Sequence, residues 1–358
     1  MADYLQTRVA DGVGYLTLTR QRALNALNFA LVTALTDALT RWRTDPEVAV
    51  VVLASDNERA LCAGGDLREL YGLLSRGELE RIRSFFWHEY RLDAMIASYP
   101  KPVVAIMDGI TMGGGVGIAG HADVRVVTEW SRIAMPETRI GFAPDAGGSW
   151  LLARAPGETG LYLGLNSEEM DAADALYAGF ADVFVPRERL SALLQVLAER
   201  AGSCDPAEIA LLFTESPPPS KLARLRSWID ACYSAPTVPE IVARLRAIPE
   251  DAPHRTADEL LALSPTAVAI TLAAIRCARR MPQLEDVLEQ EFYLGTWFAG
   301  HPDFQEGVRA LIIDKDSKPA WHPATLAELP PDLGERVLAA AGSSQALFLS
   351  VMRSDEGD

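Results

Sequence analysis

Three stretches of this 358-residue chain carry residue types that can do chemistry. Cys62-Ala-Gly-Gly-Asp66 follows an apolar run of strand length, and Gly113-Gly-Gly-Val-Gly117 follows another. Both lead into helical patterns. Glycine runs let the backbone turn tightly and leave N–H groups uncovered, and at a helix N-terminus those groups carry partial positive charge. Two such strand ends side by side can aim two amides at one oxygen, which is an oxyanion hole. Two glycine turns needed only for close packing fit the same spacing. In the third stretch, Met135 to Gly148, Glu137 and Asp145 are separated by Gly141 and Pro144, so both can lie on loops that converge on one pocket. A carboxylate pair in a closed apolar site suits general acid–base or nucleophilic work. Two surface acids on a solvated loop are the other reading. Pattern alone reaches an α/β enzyme with a candidate oxyanion hole.

The elements that must position these residues follow from periodicity. VGYLTLT (13–19) reads as a strand. After Asn28, which suits an N-cap, Leu31, Leu35, Leu39 and Trp42 keep helical spacing. VAVVVLAS (48–55) is short and continuous enough for a strand buried on both faces. Helical patterns over 66–76 and 78–98 precede the strand PVVAIM (102–107), and a short helix then leads to DVRVVT (123–128). This alternation predicts an α/β sheet. Beyond residue 187 the texture becomes helical, at 188–201, 205–214, 220–232, 237–247, 265–280, 283–299 and 302–312, and prolines 217–219 mark a linker. The expected organisation is a catalytic core over 1–187 and a helical C-terminal region over 188–358.

Composition and motifs exclude other classes. With 49 acidic against 33 basic side chains and a net charge of −16, the chain is no nucleic-acid binder and does not suit an anionic membrane. Gly115-Val-Gly-Ile-Ala-Gly120 matches a dinucleotide fingerprint, but the strand at 123 leaves no room for a crossover helix. The chain contains no phosphate-binding G-x-x-x-x-G-K-[ST], no H-E-x-x-H and no G-x-S-x-G, and position 92 after His88-Glu89 is Leu. Cys62, Cys204, Cys232 and Cys277 are too widely spaced for a zinc site or redox pair. No metal or cofactor is expected. The first residues, MADYLQTRVADG, contain no basic region followed by an apolar run, so the expected location is cytoplasmic.

Taken together, ALNAL (23–27), the C-A-G-G-D loop, KPVVAIMDGITMGGGVG (101–117) and AMPETRIGFAPDAGG (134–148) resemble the crotonase (enoyl-CoA hydratase/isomerase) superfamily. FFWHEY (85–90), EGVRALIIDKDSKPAWHP (306–323) and the long C-terminal part resemble the subgroup that hydrolyses 3-hydroxyisobutyryl-CoA. The resemblance implies an α/β spiral of ββα units with a helical C-terminal extension. It also implies a bound acyl-CoA whose thioester oxygen meets the amides of Ala63 and Gly114. Ala23, Leu24 and Ala26 would line the adenine end of CoA. Gly65 and Asp66 would join the substrate-binding set, with Asp66 capping the next helix, and Glu89 would support the same pocket. Arg20, Arg22 and Lys101 are candidates for the CoA phosphates. Hydratases of this family use glutamates at the positions of Gly117 and Glu137. Gly117 has no side chain, whereas the hydrolase subgroup is similar to this chain in keeping acids at Glu137 and Asp145. Thioester hydrolysis is therefore expected, with Glu137 as nucleophile or base and Asp145 binding the 3-hydroxyl. A hydratase or isomerase, a hydrolase of another 3-hydroxyacyl-CoA, and a CoA-binding protein without catalysis are the alternatives. The expected partner is the acyl-CoA substrate, with self-association as a family habit.

Overall fold

Valine-rich runs build the main sheet. In the computed structural model, which describes residues 4–342, β1 (Leu5–Ala10) and β2 (Val13–Leu18) form an antiparallel hairpin. Asp11 and Gly12 turn it with φ of 52° and 77°, the left-handed pair that a two-residue hairpin requires. β3 (Val50–Ser55) adds in parallel to β2, and β4 (Ala60–Cys62) follows it in the chain. β5 (Val103–Met107) and β6 (Ile110–Met112) repeat this long-then-short pairing, and β7 (Val124–Val127) and β8 (Arg132–Ala134) repeat it again before β9 (Val183–Phe184). The longer strands and the two-residue β9 form a six-stranded sheet in the order β1-β2-β3-β5-β7-β9, and the three-residue strands a parallel sheet β4-β6-β8. Each pass of the chain thus contributes one strand to each sheet before a helix returns it, which is the expected spiral of ββα units.

Alternation explains why the long strands read as continuous apolar runs. Val50, Val52, Val104, Ile106, Val124 and Val126 share one face, packed under Leu193 and Leu197 of the helix Leu190–Glu199 and under Ile209. Val51, Leu53, Val103 and Ala105 point the other way and are equally buried. The helix Phe29–Trp42 begins at Asn28, whose side chain accepts the Leu31 N–H, and buries Leu31, Leu35, Leu39 and Trp42. The strands β4, β6 and β8 are not legible from periodicity, because three residues cannot display an alternation; β1 is exposed along most of its length and has no apolar face to reveal it.

The chain divides into two units. One comprises residues up to Asp66, His88–Met135 and Glu169–Arg224; the other comprises Leu67–Trp87, Pro136–Glu168 and the chain from Leu225 onward. This corrects the single boundary expected at 187/188. From Leu190 on, every regular element among the described residues is helical, as the texture suggests. Those helices nevertheless share a core with segments from early in the chain. In the second unit Phe142 packs against Phe86, Phe298 and Phe304, with ring centroids 5.7, 5.3 and 4.6 Å away. No described helix is by itself long and apolar enough to cross a membrane.

Close helix approach in the second unit depends on Gly160. In the helix Thr159–Asn166 a Cβ at this position would lie 1.7 Å from the backbone oxygen of Leu152, in the helix Gly148–Arg154. Gly160→Ala must push the two helices apart, at a cost of about 3 kcal/mol by the usual scale of overpacking. Chemical denaturation measures this; an unchanged midpoint would show that the contact yields freely.

Candidate active site

In the first unit, the segment Ala23–Leu27 holds the C-A-G-G-D loop. Leu24 and Asn25 both adopt left-handed φ, 49° and 57°, and the buried Asn25 side chain donates to Ser55 Oγ at 2.7 Å and to the Leu61 carbonyl at 2.9 Å. Leu27 N–H donates to the Gly64 carbonyl at 2.8 Å, and Asp66 N–H to the Leu27 carbonyl at 2.7 Å. Ala23, Leu24 and Ala26 stay partly exposed, so they remain open to a ligand.

These bonds correct one expected oxyanion donor. The Ala63 N–H donates to the Leu24 carbonyl at 3.0 Å and is occupied. Because Gly64 C=O and Asp66 N–H both face Leu27, the N–H of Gly65, out of phase with them along extended backbone, faces the opposite way. It has no backbone acceptor among the described residues. Gly114, the first residue of the helix Gly114–Gly120, likewise offers an N–H with no backbone acceptor among them. The two loops touch. A Cβ on Gly64 would lie 3.0 Å from the Met112 oxygen and 3.6 Å from the Gly114 nitrogen, and one on Gly115 would lie 2.2 Å from the Cys62 oxygen. Sequence reasoning expected the Ala63 amide of this loop, which is occupied; the pairing with Leu27 leaves the Gly65 N–H over in its place.

Glu89 is buried at 3% exposure, on the helix Leu79–Ala97. A Cβ on Gly114 would meet its Oε1 at 2.1 Å, so Glu89 stands directly against the helix start. Desolvation, with Glu89 and Asp93 contributing, pushes the buried Cys62 thiol up to about 12, which leaves it protonated and unsuited to nucleophilic attack. Asp66 precedes the helix Leu67–Ser75 directly, and its carboxylate takes Arg20 at 2.6 Å. Arg20 also donates to the Ala26 carbonyl at 2.8 Å. Lys101 donates to the carbonyls of Trp42 and Asp45. It closes the end of a helix and is thereby corrected as a phosphate ligand.

The second unit holds the other two acids. Glu137 is 6% exposed and opens the tight helical turn Glu137–Ile140, closed by Gly141 at φ 67°. The Phe142 N–H returns to the Glu137 carbonyl at 3.1 Å, and the Phe142 ring sits in the aromatic core described above. Phe142 therefore anchors the turn. Asp145 is half-buried, and its carbonyl accepts the Gly148 N–H at 2.7 Å. Ala146 and Gly147 after it have φ of 52° and 74°.

A residue that the motifs did not single out joins them. Glu291, 1% exposed on the helix Leu284–Ala299, accepts the Gly147 N–H at 2.7 Å and the Ser149 N–H at 2.8 Å. A signal was present: Leu284, Val287, Leu288, Glu291, Leu294 and Phe298 form one helical stripe, and only Glu291 in it is charged. Among the described residues no group of three or more His, Cys, Asp or Glu side chains could hold a metal ion.

Burial, aided by the nearby charge of Asp145 and opposed by the two amide bonds, raises Glu291 from 4.5 to about 8. Between these values the folded chain keeps a proton that the unfolded chain releases, so the group's contribution to stability falls as pH rises through the window. Glu291→Gln removes that dependence. Thermal unfolding of wild type and variant across this range is expected to show the variant gaining relative stability with rising pH, on the order of a few kcal/mol in all. A gap that stays constant with pH would overturn the assignment.

Comparison with known proteins gives one family. The model of the enoyl-CoA hydratase/isomerase family matches residues 13–338. The chain is 36% identical over 341 residues to the 3-hydroxyisobutyryl-CoA hydrolase, mitochondrial, of Xenopus laevis, covering 93% of this chain and 88% of that protein. Two crystal structures are also similar. One is described as a carnitinyl-CoA dehydratase from Mycobacterium thermoresistibile (TM-score 0.88, 42% identity, 94% and 96% of the two chains). The other is described as an enoyl-CoA hydratase from Rhodobacter sphaeroides (TM-score 0.87, 38% identity, 94% and 97%). With its two-sheet spiral and its glycine loops, the chain belongs to the enoyl-CoA hydratase/isomerase, or crotonase, family.

Proposed function

We propose that this chain hydrolyses the thioester of a short branched 3-hydroxyacyl-CoA, 3-hydroxyisobutyryl-CoA, to the free acid and CoA. The observation that carries the reading is the set of acids. The helix Gly114–Gly120 that supplies an oxyanion amide has Gly117, with no side chain, where a hydratase of this family has its first glutamate, while Glu137 is kept and buried. One acid and two amides suffice for acyl transfer. Addition of water across a double bond, as the family's hydratases perform it, uses two acids.

In this mechanism the amides of Gly65 and Gly114 donate to the thioester oxygen and stabilise the charge that develops there. Loss of one such donor costs about 3–4 kcal/mol of barrier lowering. Two routes are open to Glu137. Its carboxylate attacks the carbonyl carbon, the C–S bond breaks, CoA leaves as thiolate, and water then cleaves the resulting anhydride. Alternatively Glu137 takes a proton from water as that water attacks directly. Asp145 accepts a hydrogen bond from the 3-hydroxyl. Glu89 and Asp66 support the loops, and Ala23, Leu24 and Ala26 line the adenine end. No cofactor is required beyond the CoA that the substrate brings. Valine catabolism, a cytoplasmic location and self-association belong to the same proposal; cell fractionation and sedimentation test the last two.

A second reading, hydration of an enoyl-CoA, is favoured by the descriptions of the two similar crystal structures. Thiol release from 3-hydroxyisobutyryl-, isobutyryl- and crotonyl-CoA, with the enoyl absorbance followed in parallel, separates the two. Rapid release from the first is expected, and loss of the crotonyl absorbance without thiol would establish the hydratase. Glu137→Gln is expected to lower kcat by about 10²–10⁴-fold; near-normal turnover would remove its role. A single turnover in 18O-labelled water tests the route: label in the Glu137 carboxylate after that turnover establishes attack by Glu137, because direct attack by water labels the product acid alone. Asp145→Asn should lower kcat/KM for the hydroxylated thioester about 10- to 100-fold relative to isobutyryl-CoA, the scale of a hydrogen bond to a charged group.

A further inference from the structure

The second unit places one of its most deeply buried acids against the turn that carries Asp145. A carboxyl group in an otherwise apolar helix stripe is costly to bury unless hydrogen bonds satisfy it, and both Glu291 oxygens accept one. Gly147 N–H gives to Oε2 and Ser149 N–H to Oε1, at 2.7 and 2.8 Å, across more than 140 positions of sequence. Those donors bracket the first residue of the helix Gly148–Arg154, where the first amides have no partner within the helix. The clamp therefore begins two residues after Asp145.

The turn itself needs holding. Ala146, with a side chain, is in the left-handed region at φ 52°, and Gly147 follows at 74°. An L-residue there is strained unless the surroundings over-determine it. Among the contacts that do so are Gly148 N–H to the Asp145 carbonyl at 2.7 Å, Ser149 Oγ to the Pro144 carbonyl at 3.2 Å, and the carboxyl clamp. The first two are local and travel with the loop. The clamp ties it to another element, the helix Leu284–Ala299.

From this geometry we infer that Glu291 is a positioning residue for Asp145, and that by fixing the Asp145 turn it sets the preference for acyl groups bearing a 3-hydroxyl. This rests on the reading of Asp145 as the acceptor of that hydroxyl. A purely structural clamp would affect all thioesters alike, whereas a positioning clamp acts through Asp145 alone.

The experiment is a double-mutant cycle of Glu291→Gln and Asp145→Asn, read as the ratio of kcat/KM for 3-hydroxyisobutyryl-CoA over isobutyryl-CoA. Glu291→Gln is expected to lower the ratio about tenfold or more, the effect of misplacing one charged hydrogen bond, chiefly through KM for the hydroxylated substrate. The double variant should fall no further than Asp145→Asn alone, because the two residues act as one unit. If Glu291→Gln does not fold, Glu291→Asp, which keeps the carboxyl group but draws it back from the two amides, is the second variant, and a smaller fall in the same ratio is expected. An unchanged ratio for the Glu291 variant, beside a selective loss in Asp145→Asn, overturns the positioning role and leaves the reading of Asp145 intact. Losses that multiply in the double variant also overturn it. An Asp145→Asn protein that loses equally on both thioesters sinks the reading of Asp145, and the inference with it.

Discussion

Backbone must touch backbone for two amides on different loops to serve one oxygen. In the first unit this constraint falls on Gly64, Gly114 and Gly115. Any Cβ at Gly115 would strike the Cys62 carbonyl, and one at Gly114 would strike Glu89. The glycines are there because the loops leave no room. Around them everything else follows: Asn25 braces β4, Leu27 pairs with the loop on one side, and the amide of Gly65 is left facing the other. Glu89 packs on the same helix start, so a buried carboxylate backs the amide that the oxyanion would use.

Much of this was legible in residues. The long strands announced themselves through valine runs, and the helix after Asn28 through its cap and its spacing. The glycine loops were readable as glycine strings after strands, and the role expected of them came from the resemblance as a set. What could not be read has definite physical causes. Three-residue strands are too short to show a period. The choice between the Ala63 and Gly65 amides depends on the register of a single bridge to Leu27, a non-local fact. The division into units follows an aromatic core that gathers Phe86, Phe142, Phe298 and Phe304 from distant parts of the chain. A compositional boundary near residue 187 records where strands stop, not where cores close.

Charge gives a second lesson. The chain is strongly acidic, yet a CoA thioester is an anion, so binding must rely on local groups more than on net charge. Two of the three basic residues that sequence position suggested for this task have protein partners: Lys101 serves two carbonyls, and Arg20 serves Asp66 and Ala26. Proximity in sequence to a binding segment is weak guidance, because an isolated cation near the surface most readily finds a carbonyl or carboxylate of its own chain.

The same economy governs the acids of the second unit. A fully charged Glu291 beside Asp145 would set two negative groups against one helix start, and burial resolves the conflict by raising Glu291 to about 8. A protonated carboxyl still accepts both amides through its oxygen lone pairs, so the clamp survives neutralisation. It then holds the Asp145 turn without adding a second negative charge beside it. On the proposed reading of Asp145 as the acceptor of a substrate hydroxyl, a neighbour that fixes its backbone and stays neutral serves it best. A buried glutamate with a raised pKa does both, which a glutamine, with an N–H where one acceptor is needed, cannot.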